Sequence, residues 1–241
     1  MALPRTTDAR RRFLLAGVST AGLALTAPGA LAQGPKRPYE VIDPVQAVDV
    51  PAGKVEVLEF FFYGCPHCYN LQGPLKEWLK GASKDVEFRR VPTVFRDSWI
   101  PMARAYFAMD ALGVVEKVHH DLFTEIHEKQ NEKLLTDKAA FLDWTAKKGV
   151  DRAKLQGAYE SFSVDGRTKR AVQMTKDYRI SGTPSMVIHG KYLTAPSMVV
   201  NPDNSVNYAR FNKVLDELVA MARAEAAGKG GAPKGAPAKK G

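Results

Sequence analysis

Cys65 and Cys68 are the only cysteines in 241 residues, and they stand two residues apart in Cys65-Pro66-His67-Cys68. Thiols at this spacing can close a small redox ring, supply half of a metal site or anchor a haem. A structural zinc site needs a second pair of ligands, and c-type haem attachment needs histidine at position 69, which is Tyr69. His119 and His120 point to different faces of a helix, and His127 lies seven places past His120. These three read as surface positions of a helical segment, so no metal and no bound cofactor is expected. A disulfide between Cys65 and Cys68 closes too short a loop to restrict the unfolded chain much, which leaves redox exchange as the better explanation of the pair.

Position refines that chemistry. Cys65 follows the apolar run Val55–Phe62 and precedes Pro66, so it sits where a strand ends and a helix begins. Unpaired amides and the positive end of the helix dipole favour its thiolate there, and His67 can add a positive or hydrogen-bonding group beside the same sulfur. A stable thiolate is a good leaving group, which makes the oxidised pair a disulfide donor. Cys65 is then the sulfur that substrate attacks, and Cys68, one turn further in, the shielded partner that leaves and later closes the ring.

Two other positions belong with the cysteines. Glu59 lies inside the same apolar run, on the face of Phe61 and opposite Phe60, where a carboxylate is costly. Burial raises its pKa and makes it a proton donor and acceptor for Cys68 through a water. Glu56, nearer the start of the run, reads as reaching solvent. Thr183-Pro184 stands just before a second apolar run, where a cis bond presents the backbone of Thr183 to an extended substrate.

The elements that must carry these residues are legible in the pattern. Val55–Phe62 reads as a strand buried on both faces, Pro66 onward as a helix kinked at Pro74, and Val86–Val91 as a second strand, which together demand a parallel right-handed crossover. Tyr39–Ile42 suits a short strand. Helical spacing follows over 102–112, 114–129, 137–148 and 151–159, with Thr136-Asp137 and Asp151 as caps, and again over 166–178. Ser185–Ile188 and Lys191–Thr194 form a hairpin about His189-Gly190, and 208–224 is a closing amphipathic helix. The expectation is an α/β fold, residues 39–97 and 163–224 forming one sheet domain and 98–162 a helical insertion.

The formal net charge of +9 is concentrated at the ends: four arginines against one aspartate in 1–32, four lysines and no acid in 228–241. A nearly neutral body argues against nucleic-acid binding. Residues 1–32 combine a basic start, an apolar run from Phe13 and small residues at Ala30-Leu31-Ala32, which reads as an export signal; Arg10-Arg11-Arg12-Phe13-Leu14 resembles a twin-arginine signal, and the general secretory route is the alternative. Residues 228–241 repeat Gly, Ala, Pro and Lys and read as a disordered tail.

The order strand, C-x-x-C at a helix start, helical insertion and Gly182-Thr183-Pro184 before a hairpin resembles the thioredoxin superfamily. Cys-Pro-His-Cys, Glu59 six positions before Cys65, and Gly190-Lys191-Tyr192 narrow the resemblance to the DsbA-like thiol–disulfide interchange proteins, over about Tyr39 to Leu218. It implies a thioredoxin fold with an inserted helical domain and an oxidase of newly exported polypeptides, reoxidised by a DsbB-like membrane quinone reductase; with the export signal, the expectation is a periplasmic monomer. Thr183 stands where the best-known member has valine, and threonine there also occurs in exported isomerases. An exported isomerase or reductase of the same fold is therefore the first alternative, although only about 32 residues separate the expected cleavage site from Cys65, too few for a dimerisation domain. A non-catalytic peptide-binding chaperone is the second.

Overall fold

The computed structural model of the protein describes residues 37–229. The expected export signal and the tail beyond residue 229 lie outside the described residues. Five strands order as β1-β5-β4-β2-β3: β1 Glu40–Val41, β2 Val55–Phe61, β3 Val86–Pro92, β4 Ser185–Ile188 and β5 Tyr192–Thr194. All seven residues of β2 are buried: it has a strand on either side, and apolar clusters cover its faces. The continuous apolar run thus ends in a central strand, as its composition requires.

β2 pairs in parallel with β3, Val55 opposite Val86 and Glu59 opposite Arg90. Helix α1, Pro66–Gly81, makes the crossover and continues through Pro74. β4 returns antiparallel to β2 with Glu59 opposite Met186, and β5 pairs antiparallel with β4. Between β3 and β4 lie α2 (Ile100–Ala111), α3 (Val115–His127), α4 (Lys138–Lys147), α5 (Arg152–Glu160) and α6 (Phe162–Asp177), and α7 (Tyr208–Lys229) closes the described chain. Asp137 accepts the Ala140 amide at 3.0 Å and Asp151 the Lys154 amide at 2.9 Å, the two caps expected from sequence. α6 starts four residues before the expected Gly166, because Ser161 caps it by accepting the Val164 amide at 3.2 Å. At the other end, α7 carries its helix into Gly228 and Lys229, the first two residues of the segment expected as tail. No helix among the described residues is long and apolar enough to cross a membrane.

One apolar cluster joins Val57, Met186 and Ile188 of the sheet to Leu71, Leu75 and Trp78 of α1 and Phe211, Leu215 and Leu218 of α7. A larger one joins Leu58, Phe60 and Phe61 to the helices α2–α6. The carboxyl end of β2, where Cys65 follows, is thereby wedged between two packed layers.

The β4–β5 turn has His189 and Gly190 both at positive φ, 50° and 68°, the backbone of the primed turn that suits a hairpin. A side chain at Gly190 would bring its Cβ to 2.2 Å from the Gln46 carbonyl oxygen. Gly190→Ala is expected to cost about 1–3 kcal/mol of stability, read as a lower urea midpoint, since backbone on both sides must shift.

Candidate active site

Cys65 is the N-cap residue of α1, with extended backbone (φ −92°, ψ 116°), and its carbonyl accepts the amides of Cys68 and Tyr69, each at 3.1 Å. The approach from β2 is a tight loop in which the Cys65 amide donates to the Phe62 carbonyl at 3.0 Å. Gly64 allows it, because a Cβ there would lie 2.5 Å from the Phe62 ring. That ring is stacked on Trp99, centroids 3.8 Å apart. Both cysteines are free thiols, Cys65 half-buried and Cys68 with no exposed surface.

The two sulfurs differ sharply in acidity. The Cys65 thiol is lowered to about 5: the Cys68 thiol hydrogen-bonds to it, the Thr183 hydroxyl and the amides of Cys68 and His67 add to the effect, and partial burial opposes it. Cys68 is pushed well above the ordinary thiol value, first by burial, then by its hydrogen bond and negative neighbours at Cys65 and Glu59. His67 is exposed, and its contribution to the Cys65 sulfur runs through its backbone amide.

The loop before β4 comes up against Cys65. Its thiol lies 3.3 Å from the Thr183 carbonyl oxygen, the Thr183–Pro184 bond is cis, and Pro184 is buried. A groove of about 320 Å³ opens beside them, lined by His67, Gly182, Thr183, Pro184, Met198 and Tyr208 among others. The four predicted positions Cys65, His67, Thr183 and Pro184 therefore share one surface.

Glu59 lies beneath it, fully buried. Arg90, directly across the parallel pairing, donates from Nε to its carboxylate at 3.1 Å and from Nη1 to Glu116 at 2.7 Å. Gln72 on α1 donates from Nε2 to Glu59 at 3.4 Å and to the Cys68 carbonyl at 3.0 Å. Burial raises the Glu59 pKa, and Arg90 and Gln72 hold that rise back.

Two expectations are corrected. Glu56 is 1% exposed; the central position of β2 buries it, and Arg89, one diagonal step along β3, pairs with its carboxylate. His119 is 3% exposed and not on the surface. It belongs to the buried stripe of α3 with Val115, Val118, Leu122 and Phe123, and its two ring nitrogens are satisfied by Tyr63 and Gln72. His120 is exposed, and His127 is partly covered, its Nε2 2.8 Å from the Tyr63 carbonyl oxygen. Arg90, Gln72, Tyr63 and His119 were not among the sequence candidates; the one available signal was an arginine in a strand that must pair in parallel with the strand of Glu59.

A half-exposed acidic thiol capping a helix, a buried partner one turn on and a peptide-bond edge against the reactive sulfur define a thiol–disulfide oxidoreductase of the thioredoxin fold. Residues 80–208 match the DSBA-like thioredoxin domain. The thiol:disulfide interchange protein DsbA of Burkholderia cepacia is 45% identical over 177 residues, 73% of this chain and 82% of that protein. DsbA of Bordetella parapertussis is 39% identical over 210 residues, 87% of this chain and 96% of that protein, a span that takes in Glu59, the cysteine pair and Thr183-Pro184. The crystal structure of Pseudomonas aeruginosa DsbA superposes with a TM-score of 0.70 at 31% identity, over 79% of this chain and 94% of that one. The chain belongs to the DsbA family of thiol:disulfide interchange proteins.

Proposed function

We propose that the protein is a periplasmic oxidase that donates its Cys65–Cys68 disulfide to newly exported polypeptides. The observation that carries this reading is the opposed acidity of the two thiols, Cys65 lowered to about 5 and Cys68 raised. A dithiol with one sulfur already ionised at neutral pH is stable in the reduced form, so the disulfide is a strong oxidant.

A substrate thiolate attacks the Cys65 sulfur, the Cys65–Cys68 bond breaks, and its electron pair leaves on Cys68. A high-pKa thiolate leaves poorly, so a proton must reach Cys68 as it departs. Glu59 supplies it through a water, its burial keeping the carboxyl protonatable. A second substrate thiolate then attacks the substrate sulfur of the mixed disulfide and displaces Cys65 as a thiolate. Two electrons remain on the protein, and a DsbB-like membrane quinone reductase removes them. Thr183 and Pro184 hold the substrate as an extended segment beside Cys65, and His67 borders the same groove. The protein acts as a monomer and needs no cofactor.

Thr183 also favours a second reading, since its hydroxyl bears on the Cys65 sulfur and a threonine there suits an isomerase or reductase. The redox equilibrium with glutathione separates the two. The oxidase is expected to hold its dithiol against excess oxidised glutathione; a potential near the roughly −270 mV of a reducing thioredoxin overturns it.

A further inference from the structure

Behind the cysteines runs a buried chain of hydrogen bonds that the exchange steps do not use. Gln72 is 7% exposed, His119 3% and Tyr63 1%. His119 Nδ1 lies 2.7 Å from Tyr63 Oη, and His119 Nε2 lies 3.0 Å from Gln72 Oε1. The ring is packed among Phe61, Tyr63 and Phe123, with centroids 5.4, 5.2 and 5.2 Å away.

The proton positions in this chain follow from one fixed point. The Cys68 carbonyl can only accept, so the Gln72 atom 3.0 Å from it is the amide nitrogen. The same nitrogen faces Glu59, which leaves Oε1 against His119 Nε2. That ring nitrogen must then carry the hydrogen. Burial and the nearby Arg90 charge hold the imidazole pKa well below its usual value, so the ring is neutral and its Nδ1 is bare. Tyr63 therefore donates to Nδ1. Every group is satisfied in one direction only: Tyr63 to His119, His119 to Gln72, Gln72 to Glu59 and to Cys68.

The geometry points to His119 as a positioning residue that, together with the Cys68 carbonyl, holds the Gln72 amide with its donors toward Glu59 and so tunes the protonation of that carboxyl. A flipped amide would offer its oxygen to Glu59, a partner that only the protonated carboxyl can use. It would also set that oxygen against the Cys68 carbonyl and turn an NH2 against the His119 N–H, and the two oppositions together disfavour the flip. The inference rests on the reading of Glu59 as the proton partner of Cys68. The other charged or titratable groups facing Glu59 are Arg90 on β3, Glu116 on α3, Tyr106 on α2, and Tyr63 and Cys68 on either side of Cys65. Of these, only Cys68, through its backbone carbonyl, and Tyr63, acting through His119, bear on the orientation of the Gln72 amide.

The test is the titration of the Glu59 carboxyl, followed by carbon NMR in the full-length reduced protein labelled in glutamate and assigned with Glu59→Gln. In His119→Phe the midpoint is expected to rise by about 0.7 pH unit, about a fivefold change in proton affinity, the worth of one ordinary hydrogen bond. His119→Gln, which can donate to Gln72 again, is expected to recover most of that shift. A folded His119→Phe protein whose Glu59 midpoint stays put overturns the proposal, whatever its loss of stability. Should that variant not fold, Tyr63→Phe is measured instead: a smaller rise supports the proposal and no rise refutes it. The pH profile of peptide oxidation, recorded on the same variants, tests the underlying reading separately. If the carboxyl midpoint moves and the profile does not, His119 positions Glu59 but Glu59 does not serve Cys68.

Discussion

Replacing Cys65 with serine is expected to bring oxidation of a reduced peptide down to the uncatalysed background, whereas replacing Cys68 with alanine is expected to leave a Cys65 thiolate that attacks a disulfide-bonded peptide, releases one peptide sulfur as a thiolate and accumulates as the mixed disulfide. The asymmetry follows from access and acidity. Cys65 is half-buried with a pKa of about 5, so nearly all of it is thiolate at neutral pH, while Cys68 is fully buried and raised. Only the first sulfur can meet a substrate; within the protein, only the second can attack the Cys65–substrate bond and free an adduct that no second substrate thiolate resolves. Gel analysis of trapped adducts separates the two variants, and equal trapping by either cysteine alone would contradict the assignment. The same acidity has a stability consequence. A thiol whose folded pKa lies below its ordinary 9.0 adds stability that is complete above that value and disappears as pH falls through about 5. Reduced protein is therefore expected to gain on oxidised protein in urea denaturation as pH rises from 5 to 9. Cys65 is partly open to water, which screens its hydrogen bonds and keeps the gain below what a fully buried group would give.

Much of this site is visible in the sequence because the chemistry is tied to local signals. Val55–Phe61 reads as a central strand from its unbroken apolarity, and Pro66 after Cys65 marks a helix start, so the environment of the reactive sulfur follows from about ten consecutive residues. Asp137 and Asp151 likewise announce helix ends that are settled within three residues. Glu59 stands out because an acid in such a run needs a reason. Its partners were illegible for the opposite cause. Arg90 meets it through strand register, and Gln72 and His119 meet through the packing of α3 on α1, which no local periodicity encodes. Glu56 shows the same limit, for an acid near a strand end reads as solvated until Arg89 is placed beside it. His119 reads as a surface residue because a histidine on a helix usually faces water, and its burial is affordable only through two polar partners from other elements.

Arg90→Met is expected to destabilise the protein by about 3–5 kcal/mol at neutral pH, and the cost is expected to shrink in acid. Arg90 is 11% exposed at its side chain and Glu59 not at all, so removing the guanidinium leaves a carboxylate in the core with Gln72 as its only remaining hydrogen-bond donor among the described residues. The carboxyl responds by keeping its proton. Its folded pKa, already above the ordinary 4.5, rises further. A group with a raised folded pKa binds its proton more tightly when folded, so its contribution to stability is best below 4.5 and is lost as pH climbs through the folded value. Urea midpoints at several pH values test the sign: a cost for Arg90→Met that is the same at acid and neutral pH would show that the ion pair is not its source. Glu59→Gln should be milder, because Arg90 keeps Glu116 at 2.7 Å near solvent. The double replacement Glu59→Leu with Arg90→Met removes both charges and should recover much of the stability, since a buried pair often gains little over an apolar substitute. It should nevertheless oxidise peptides slowly while Cys65 keeps its acidity, because Cys68 then lacks a proton partner. A double variant that is stable and fully active would mean that the buried pair serves neither folding nor exchange.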